Sequence, residues 1–243
     1  MKSLALIPAL NVAERVGDVI GRIPKQEVEL ALLVDDGSTD GTANVAREAG
    51  ATVVRHEDNR GVGAAIRTGI EYARDQGYDG IVVLNALGKF DPADLGSILQ
   101  PLKDGQADLV QGSRFVTGGS LHGIPFKRLI GTRGYSFVFS TLLGSTVSDA
   151  SSGIRAFKTS LADSPEIDLN QDWLDRYELE PYLLYKTIAC GYRFMEVPMT
   201  IHYPPGPRSA YTRMRPVRDW WHLARPLLSL AADRLKGNVK KRV

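Results

Sequence analysis

Short apolar runs at Leu4 to Ile7, Leu30 to Val34, Thr52 to Val54 and Ile81 to Leu84 alternate with segments of helical periodicity: Ala13 to Ile23, Thr42 to Ala49 and Gly63 to Asp75. The rhythm is βαβαβαβ. Strands that are apolar throughout, instead of alternating, bury both faces, so the pattern predicts an α/β fold with a mostly parallel sheet covered by helices on both sides. Ligands of such sheets bind beyond the carboxyl ends of the strands, which directs attention to the residues following each run. Past Leu84 the pattern loosens. It predicts a helix over Pro92 to Lys103, a strand over Asp108 to Gln111, a glycine-rich loop at Val116 to Gly123 and an amphipathic segment from Arg128 to Leu143. A helix over Glu178 to Ala189 stops at Gly191 and leads into a strand over Phe194 to Ile201. Pro204, Pro205 and Pro207 then interrupt regular structure before a closing helix over Trp220 to Leu235. There is no internal repeat.

With 243 residues and 43% hydrophobic content, the chain can bury one substantial core. This predicts one domain over residues 1–205 and a C-terminal segment over 206–243. The net charge of +2 conceals an asymmetry: residues 206–243 carry ten Lys/Arg and two Asp/Glu, which leaves the body at about −6. A lone cysteine, Cys190, excludes a disulfide framework, and the start at Met1 runs into a strand without a signal-peptide pattern, which predicts a cytoplasmic protein. No apolar run reaches the roughly 20 residues of a membrane span. His56, His122, His202 and His222 are far apart in sequence and lack zinc-ligand spacing. In the C-terminal segment, arginines interleave with Tyr211, Trp220 and Trp221. That composition suits peripheral contact with an anionic membrane, at its inner face, or a helix packed on the core with its arginines in water. The acidic body argues against nucleic acid.

After the second apolar run comes Val34-Asp35-Asp36-Gly37-Ser38-Thr39-Asp40-Gly41-Thr42, a polar turn with adjacent carboxylates and with Asp40 or Thr42 as a helix cap. Counted as a calcium loop from Asp36, it has Arg47 where the bidentate carboxylate belongs, which excludes calcium. Ile7-Pro8-Ala9-Leu10-Asn11 follows the first run, Asn59-Arg60-Gly61-Val62-Gly63-Ala64-Ala65 precedes the third helix, and Asn85 to Pro92 follows the fourth run. Ile66 stands where a dinucleotide fingerprint needs glycine or alanine, which argues against a nicotinamide enzyme. Ser151-Ser152-Gly153 lacks the glycine that a hydrolase elbow places before its serine.

Together these motifs resemble the family 2 glycosyltransferases. The likeness is greatest to the dolichyl- and polyprenyl-phosphate mannose synthase branch, because Gly112-Ser113-Arg114, Asp149-Ala150-Ser151-Ser152-Gly153-Ile154-Arg155 and Glu196-Val197-Pro198 also occur in that order. The resemblance covers roughly residues 3–215. It implies a GT-A-like fold, with residues 1–110 binding a nucleotide sugar and 111–205 completing an acceptor site, and transfer with inversion. It places Pro8, Ala9, Asn11, Asp35 and Asp36 around the nucleotide and lets Gly61 and Gly63 bring backbone close to it. Leu10 and Val12 stand where the family often has tyrosine and glutamate, so contacts to the base are altered.

Relatives carry Asp-X-Asp and, two residues on, glutamine, which hold Mg2+ or Mn2+ against the donor diphosphate. Here the segment reads Asn85-Ala86-Leu87-Gly88-Lys89. Leucine supplies no ligand and lysine supplies a cation, so no metal site is expected at these positions. Two readings of Lys89 stay open: an ammonium that replaces the metal, assisted by Arg114 and by Arg208 or Arg213, or a solvated loop lysine. Asp91 reads as a cap before Pro92. On the acceptor side an anionic phosphate needs only cations to position it, whereas a hydroxyl needs a general base. Arg114, Arg128, Arg133 and Arg155 are the candidate phosphate cradle. Asp149 is read as a proton acceptor, as the residue that orients Arg155, or as half of a buried ion pair. The acceptor is accordingly a polyprenyl phosphate or a small hydroxylated molecule. The rival readings are a natural-product tailoring transferase and a nucleotide-binding protein without transfer.

Overall fold

The computed structural model describes residues 1–203, 214 and 219–237. The four apolar runs form β1 (Ser3–Ala9), β2 (Leu30–Asp35), β3 (Thr52–Arg55) and β4 (Gly80–Val83), separated by α1 (Ala13–Gly21), α2 (Thr42–Glu48) and α3 (Val62–Asp75). The second half adds α4 (Leu95–Lys103), β5 (Leu109–Ser113), β6 (Ser120–His122), α5 (Phe126–Leu143), β7 (Arg155–Lys158), α6 (Leu179–Ala189), β8 (Phe194–Pro198), β9 (Thr200–His202) and α7 (Trp220–Leu235). Seven strands form one sheet in the order β3-β2-β1-β4-β7-β5-β8. All its neighbours pair in parallel except at β7, which runs antiparallel to both β4 and β5.

The parallel half follows the apolar pattern closely. Side chains alternate across a strand, so Leu4 and Leu6 of β1 pack under α3 while Ala5 and Ile7 pack under α1, all fully buried. Each large side chain so buried contributes roughly 1.5–3 kcal/mol. Gly69 lets α3 sit directly on Leu6, where a methyl group would collide with the leucine side chain.

Three features of the second half differ from the sequence expectation. Four-residue β7 carries a buried arginine and a lysine at its ends and shows no apolar run, so it has no strand signature; the sheet recruits it by pairing on both edges. The strand expected over Phe194 to Ile201 is two strands, because after Pro198 the chain leaves β5 and pairs β9 with β6 in a separate ribbon. α5 is not amphipathic in the usual sense: Thr132 and Ser136 face inward, while Phe126, Ile130 and Phe137 are exposed. Ser136 is drawn inward because its hydroxyl accepts from the Ala150 amide at 3.0 Å and donates to the Thr132 carbonyl at 3.1 Å.

α7 packs against α5 and α6, with Leu230 fully buried. The Arg234 guanidinium reaches the terminal carbonyls of α5 at Thr141 and Leu142, where a cation offsets the helix dipole.

Candidate functional site: a cleft beside a cationic chamber

A cleft of about 280 Å³ opens beyond the carboxyl ends of β1 and β4 and the N-terminus of α3. Of the residues expected around the nucleotide, Pro8, Ala9, Asp36, Gly61, Asn85, Ala86 and Leu87 line it, and so does Lys89. Asn11, Asp35 and Gly63 stand behind the wall. Asn11 adopts φ of 52° and its side-chain oxygen accepts from the Thr39 amide at 2.9 Å, stitching the loop after β1 to the loop after β2. Asp35 is fully buried and accepts from the Ser38 amide at 2.9 Å. Its second oxygen lies 3.5 Å from Arg55 Nε.

Asp36 organises the cleft floor. Its carboxylate accepts from the Arg60 amide at 2.9 Å and the Gly61 amide at 2.8 Å, and from His56 Nδ1 at 2.8 Å; the other ring nitrogen of His56 meets the Thr68 hydroxyl at 3.0 Å. The carboxylate accepts only, so the imidazole proton facing it is on Nδ1. Gly61 and Gly63 have an intramolecular reason to lack a side chain. The turn at Leu174 to Arg176 lies against them, the Ala64 amide donates to the Asp175 carbonyl at 3.0 Å, and a methyl group at either glycine would collide with that turn's backbone. The helix-opening glycines thus admit the chain's own backbone, with Gly61 also exposed to the cleft.

The segment from Asn85 to Lys89 forms the far wall. Asn85 Oδ1 accepts from the Leu87 amide at 2.8 Å and Leu87 leans on the core, so neither side chain is arranged as a cation ligand. Among the described residues no group of three His, Cys, Asp or Glu side chains could hold a metal ion. The donor set at 85, 87 and 89 does not fit a divalent cation. Asp91 caps the short turn at Pro92–Asp94, accepting from the Ala93 amide at 3.0 Å, and pairs with Arg22.

Lys89 also lines a second chamber of about 50 Å³, together with Asn85, Arg114, Arg128, Ser151 to Ile154, Ile201 and Tyr203. Tyr203, which sequence reasoning did not single out, is its hub. Lys89 and Arg128 sit over its ring at 5.7 and 5.5 Å, and its hydroxyl accepts from Arg114 Nη1 at 2.9 Å. Burial, with Arg128 and Arg114 nearby, pushes the Lys89 ammonium down to about 8, against the opposing pull of Glu180.

Asp149 orients Arg114, not Arg155. The carboxylate is fully buried and takes a bidentate grip on the Arg114 guanidinium at 2.6 and 2.5 Å, plus the Arg114 amide at 3.1 Å. Burial pulls the Arg114 pKa down, but Asp149 and Tyr203 together push it up further, so the net shift is upward. Glu196 in turn fixes the Asp149 segment by accepting from the Ser148 amide at 2.9 Å, the Ser148 hydroxyl at 2.8 Å and the Asp149 amide at 3.1 Å.

The four-arginine cradle is not assembled. Arg155 is buried behind the chamber, donating to the Ser152 carbonyl at 2.5 Å and the Glu180 carbonyl at 2.6 Å. Arg133 stacks on Phe115 at 4.5 Å and lines a surface groove beside α5. Arg208 and Arg213 lie outside the described residues. The histidines are not all scattered: β6 and β9 bring His122 and His202 into a stack with centroids 4.8 Å apart. Arg176, Tyr177 and Asp219 also line the cleft. No local pattern marks them, because they come from the turn before α6 and the start of α7, far along the chain.

A family model described as glycosyl transferase family 2 matches residues 5–164. A polyprenol monophosphomannose synthase of Mycolicibacterium smegmatis is 31% identical over 82% of this chain and 77% of its own length. An undecaprenyl-phosphate mannosyltransferase of Micrococcus luteus is 30% identical over 82% of this chain and 83% of its own. Among solved structures, glucosyl-3-phosphoglycerate synthase of Mycobacterium tuberculosis has the same fold, with a TM-score of 0.71 at 21% identity, covering 95% of this chain and 80% of that one. With the motifs in order, a cleft where the sheet predicts one, and a family match over most of its length, the chain belongs to glycosyl transferase family 2.

Proposed function

We propose that this protein transfers a sugar from a nucleoside diphosphate sugar, held in the cleft, to the phosphate of a polyprenyl phosphate entering the cationic chamber. The observation that carries the acceptor class is the composition of that chamber: Lys89, Arg114 and Arg128 line it, and among the described residues no carboxylate or imidazole does. Asp149, the candidate base, is sealed under Arg114. A hydroxyl acceptor would need a base there, whereas a phosphate monoester is already a nucleophile. In the reaction a phosphate oxygen of the acceptor forms the new bond to the anomeric carbon as the bond from that carbon to the donor's β-phosphate oxygen breaks. The electron pair leaves on the nucleoside diphosphate and no proton has to be removed. Displacement from the face opposite the leaving group inverts the anomeric centre. Two relatives named for polyprenol and undecaprenyl-phosphate acceptors support the lipid.

The surface supports it independently. Apart from Met1, every large apolar side chain exposed among the described residues lies on α5 or α7. Phe126, Ile130 and Phe137 share one face of α5, at 73%, 57% and 72% exposure, and Trp221, Leu228 and Leu235 recur every seventh residue of α7. Arg128, on the first turn of α5, lines the chamber. One helix thus offers a cation to the acceptor phosphate and an apolar stripe to the lipid surface that delivers it. No helix of the described chain is long and apolar enough to cross a membrane, so the contact is peripheral in this reading.

Incubation with UDP- and GDP-sugars and either a polyprenyl phosphate or the corresponding polyprenol is expected to glycosylate the phosphate at least a hundredfold faster. Equal transfer to the alcohol, or no transfer to the phosphate from any donor, would overturn the assignment. Separately, Phe126→Ser combined with Phe137→Ser is expected to abolish co-sedimentation with phosphatidylglycerol vesicles while leaving UDP or GDP binding intact. Unchanged vesicle binding would remove α5 from the membrane contact.

A further inference from the structure

We infer that the Lys89 ammonium occupies the role of a divalent cation in this enzyme, neutralising the donor diphosphate on one side and the incoming acceptor anion on the other. This rests on the proposed transfer between phosphate-bearing substrates and adds to it how the charge of the reaction is balanced.

Position is the first argument. Among the described residues only Asn85 and Lys89 line both the nucleotide cleft and the acceptor chamber, so this short loop is the partition between the two, and Lys89 is the cation in it. Its second feature is the lack of an anion: among the described residues no carboxylate lies within ion-pair distance of its ammonium, and the groups facing it are the Tyr203 ring, Arg114 and Arg128, with Glu180 farther off and engaged by Arg155. A half-buried ammonium within electrostatic reach of two guanidinium groups is unfavourable in the free protein. Such an arrangement becomes favourable once an anion arrives, as expected of a preformed anion seat.

The third argument is the disagreement with a metal. A divalent cation takes several hard oxygens, and at the same loop the structure offers one amide oxygen already engaged by a backbone N–H, one leucine and one ammonium. A second cation beside the ammonium would be repelled. The same ammonium can instead donate up to three hydrogen bonds to phosphate oxygens, and it remains with the leaving diphosphate as that group gains charge. Arg114 cannot take this part as freely, since most of its donors are engaged by Asp149, Ser151 and Tyr203.

The test is calorimetric titration of the full-length protein with UDP and with GDP, in excess EDTA and then with excess MnCl2 or MgCl2. It compares wild type, Lys89→Met, Lys89→Arg and the double variant Leu87→Asp/Lys89→Gln. The expected result is binding of one nucleotide in EDTA that metal does not strengthen, at least a tenfold loss in Lys89→Met, and recovery in Lys89→Arg. The double variant, which exchanges the cation for a carboxylate, is expected to bind only when metal is added. Wild-type affinity that rises tenfold or more with metal, or that is unchanged in Lys89→Met, would overturn the inference while leaving the nucleotide site standing. Binding of neither nucleotide to any variant under any condition would overturn the proposed function as well.

Discussion

Asp149→Ala is expected to lower the free energy of unfolding by about 3–5 kcal/mol, a large part of the roughly 5–15 kcal/mol that holds a domain together. The reason is the state in which it leaves Arg114. That guanidinium is only 7% exposed, and Asp149 accepts two hydrogen bonds from it and a third from the Arg114 amide. Deleting the carboxylate strands a buried cation whose remaining contacts, to Ser151 and Tyr203, are neutral. Arg114→Met combined with Asp149→Leu removes both charges together and is expected to recover most of the loss, because an apolar pair of similar volume often replaces a buried ion pair without penalty. Urea unfolding of the two variants decides the matter. An Asp149→Ala protein that unfolds at the wild-type urea concentration yet transfers no sugar would return Asp149 to the role of proton acceptor, and with it the hydroxyl acceptor.

Lys89→Met is expected to act in the opposite direction, stabilising the ligand-free protein at pH 7 by on the order of 2 kcal/mol. The ammonium is held down to about 8 from an ordinary value of 10.5, first by burial and then by Arg128 and Arg114. Below pH 8 the folded and unfolded chains both carry the proton, so the full penalty is present and constant. Between pH 8 and 10.5 the unfolded chain binds more protons at this site than the folded one, and the contribution of Lys89 to stability rises with pH. The advantage of the methionine variant should therefore narrow across that window and largely vanish above it. Urea unfolding of both proteins at pH 7, 9 and 10 measures the difference directly and cancels the titration of every other group. A variant no more stable than wild type at pH 7, or a difference that does not change with pH, would show that Lys89 is solvated in the free protein. A residue whose removal stabilises the fold and weakens nucleotide binding is one retained for its ligand.

The two expectations separate two kinds of charge in one chamber. Arg114 is compensated inside the protein and serves to shape the site, while Lys89 pairs with no carboxylate among the described residues and, in the inferred role, takes its counterion from the ligand. The distinction depends on which residues surround each group, since neighbouring positions in the chain contain no such information. Ser148, Asp149 and Glu196 illustrate this, being brought together by hydrogen bonds across 47 and 48 positions.

How much was legible beforehand follows the range of the interactions involved. The parallel half is built from local periodicity: β1, β2 and β4 are buried on both faces along most of their length, hence their continuous apolar runs, β3 at the sheet edge is only partly buried, and the helices between them carry one apolar face each. The sites after β1 and β4 could be read for the same reason, because a parallel sheet sends its ligands to the strand ends. That Asn85, Leu87 and Lys89 offer a divalent cation no set of hard oxygen ligands was likewise a property of side-chain chemistry alone. What the tertiary structure decided was partnership. Arg155 and Arg114 are indistinguishable as arginines beside a shared motif, but one is enclosed by Ser152 and Glu180 and the other faces the chamber with Asp149 behind it. Gly61 and Gly63 make room for a turn more than a hundred residues away, Tyr203 gathers three cations, and β7 exists as a strand only because β4 and β5 leave their backbone groups to be paired. Each of these depends on contacts between distant segments, whose geometry is set when the helices and sheet pack, and burial then determines which charges must be paired within the protein and which can await a ligand.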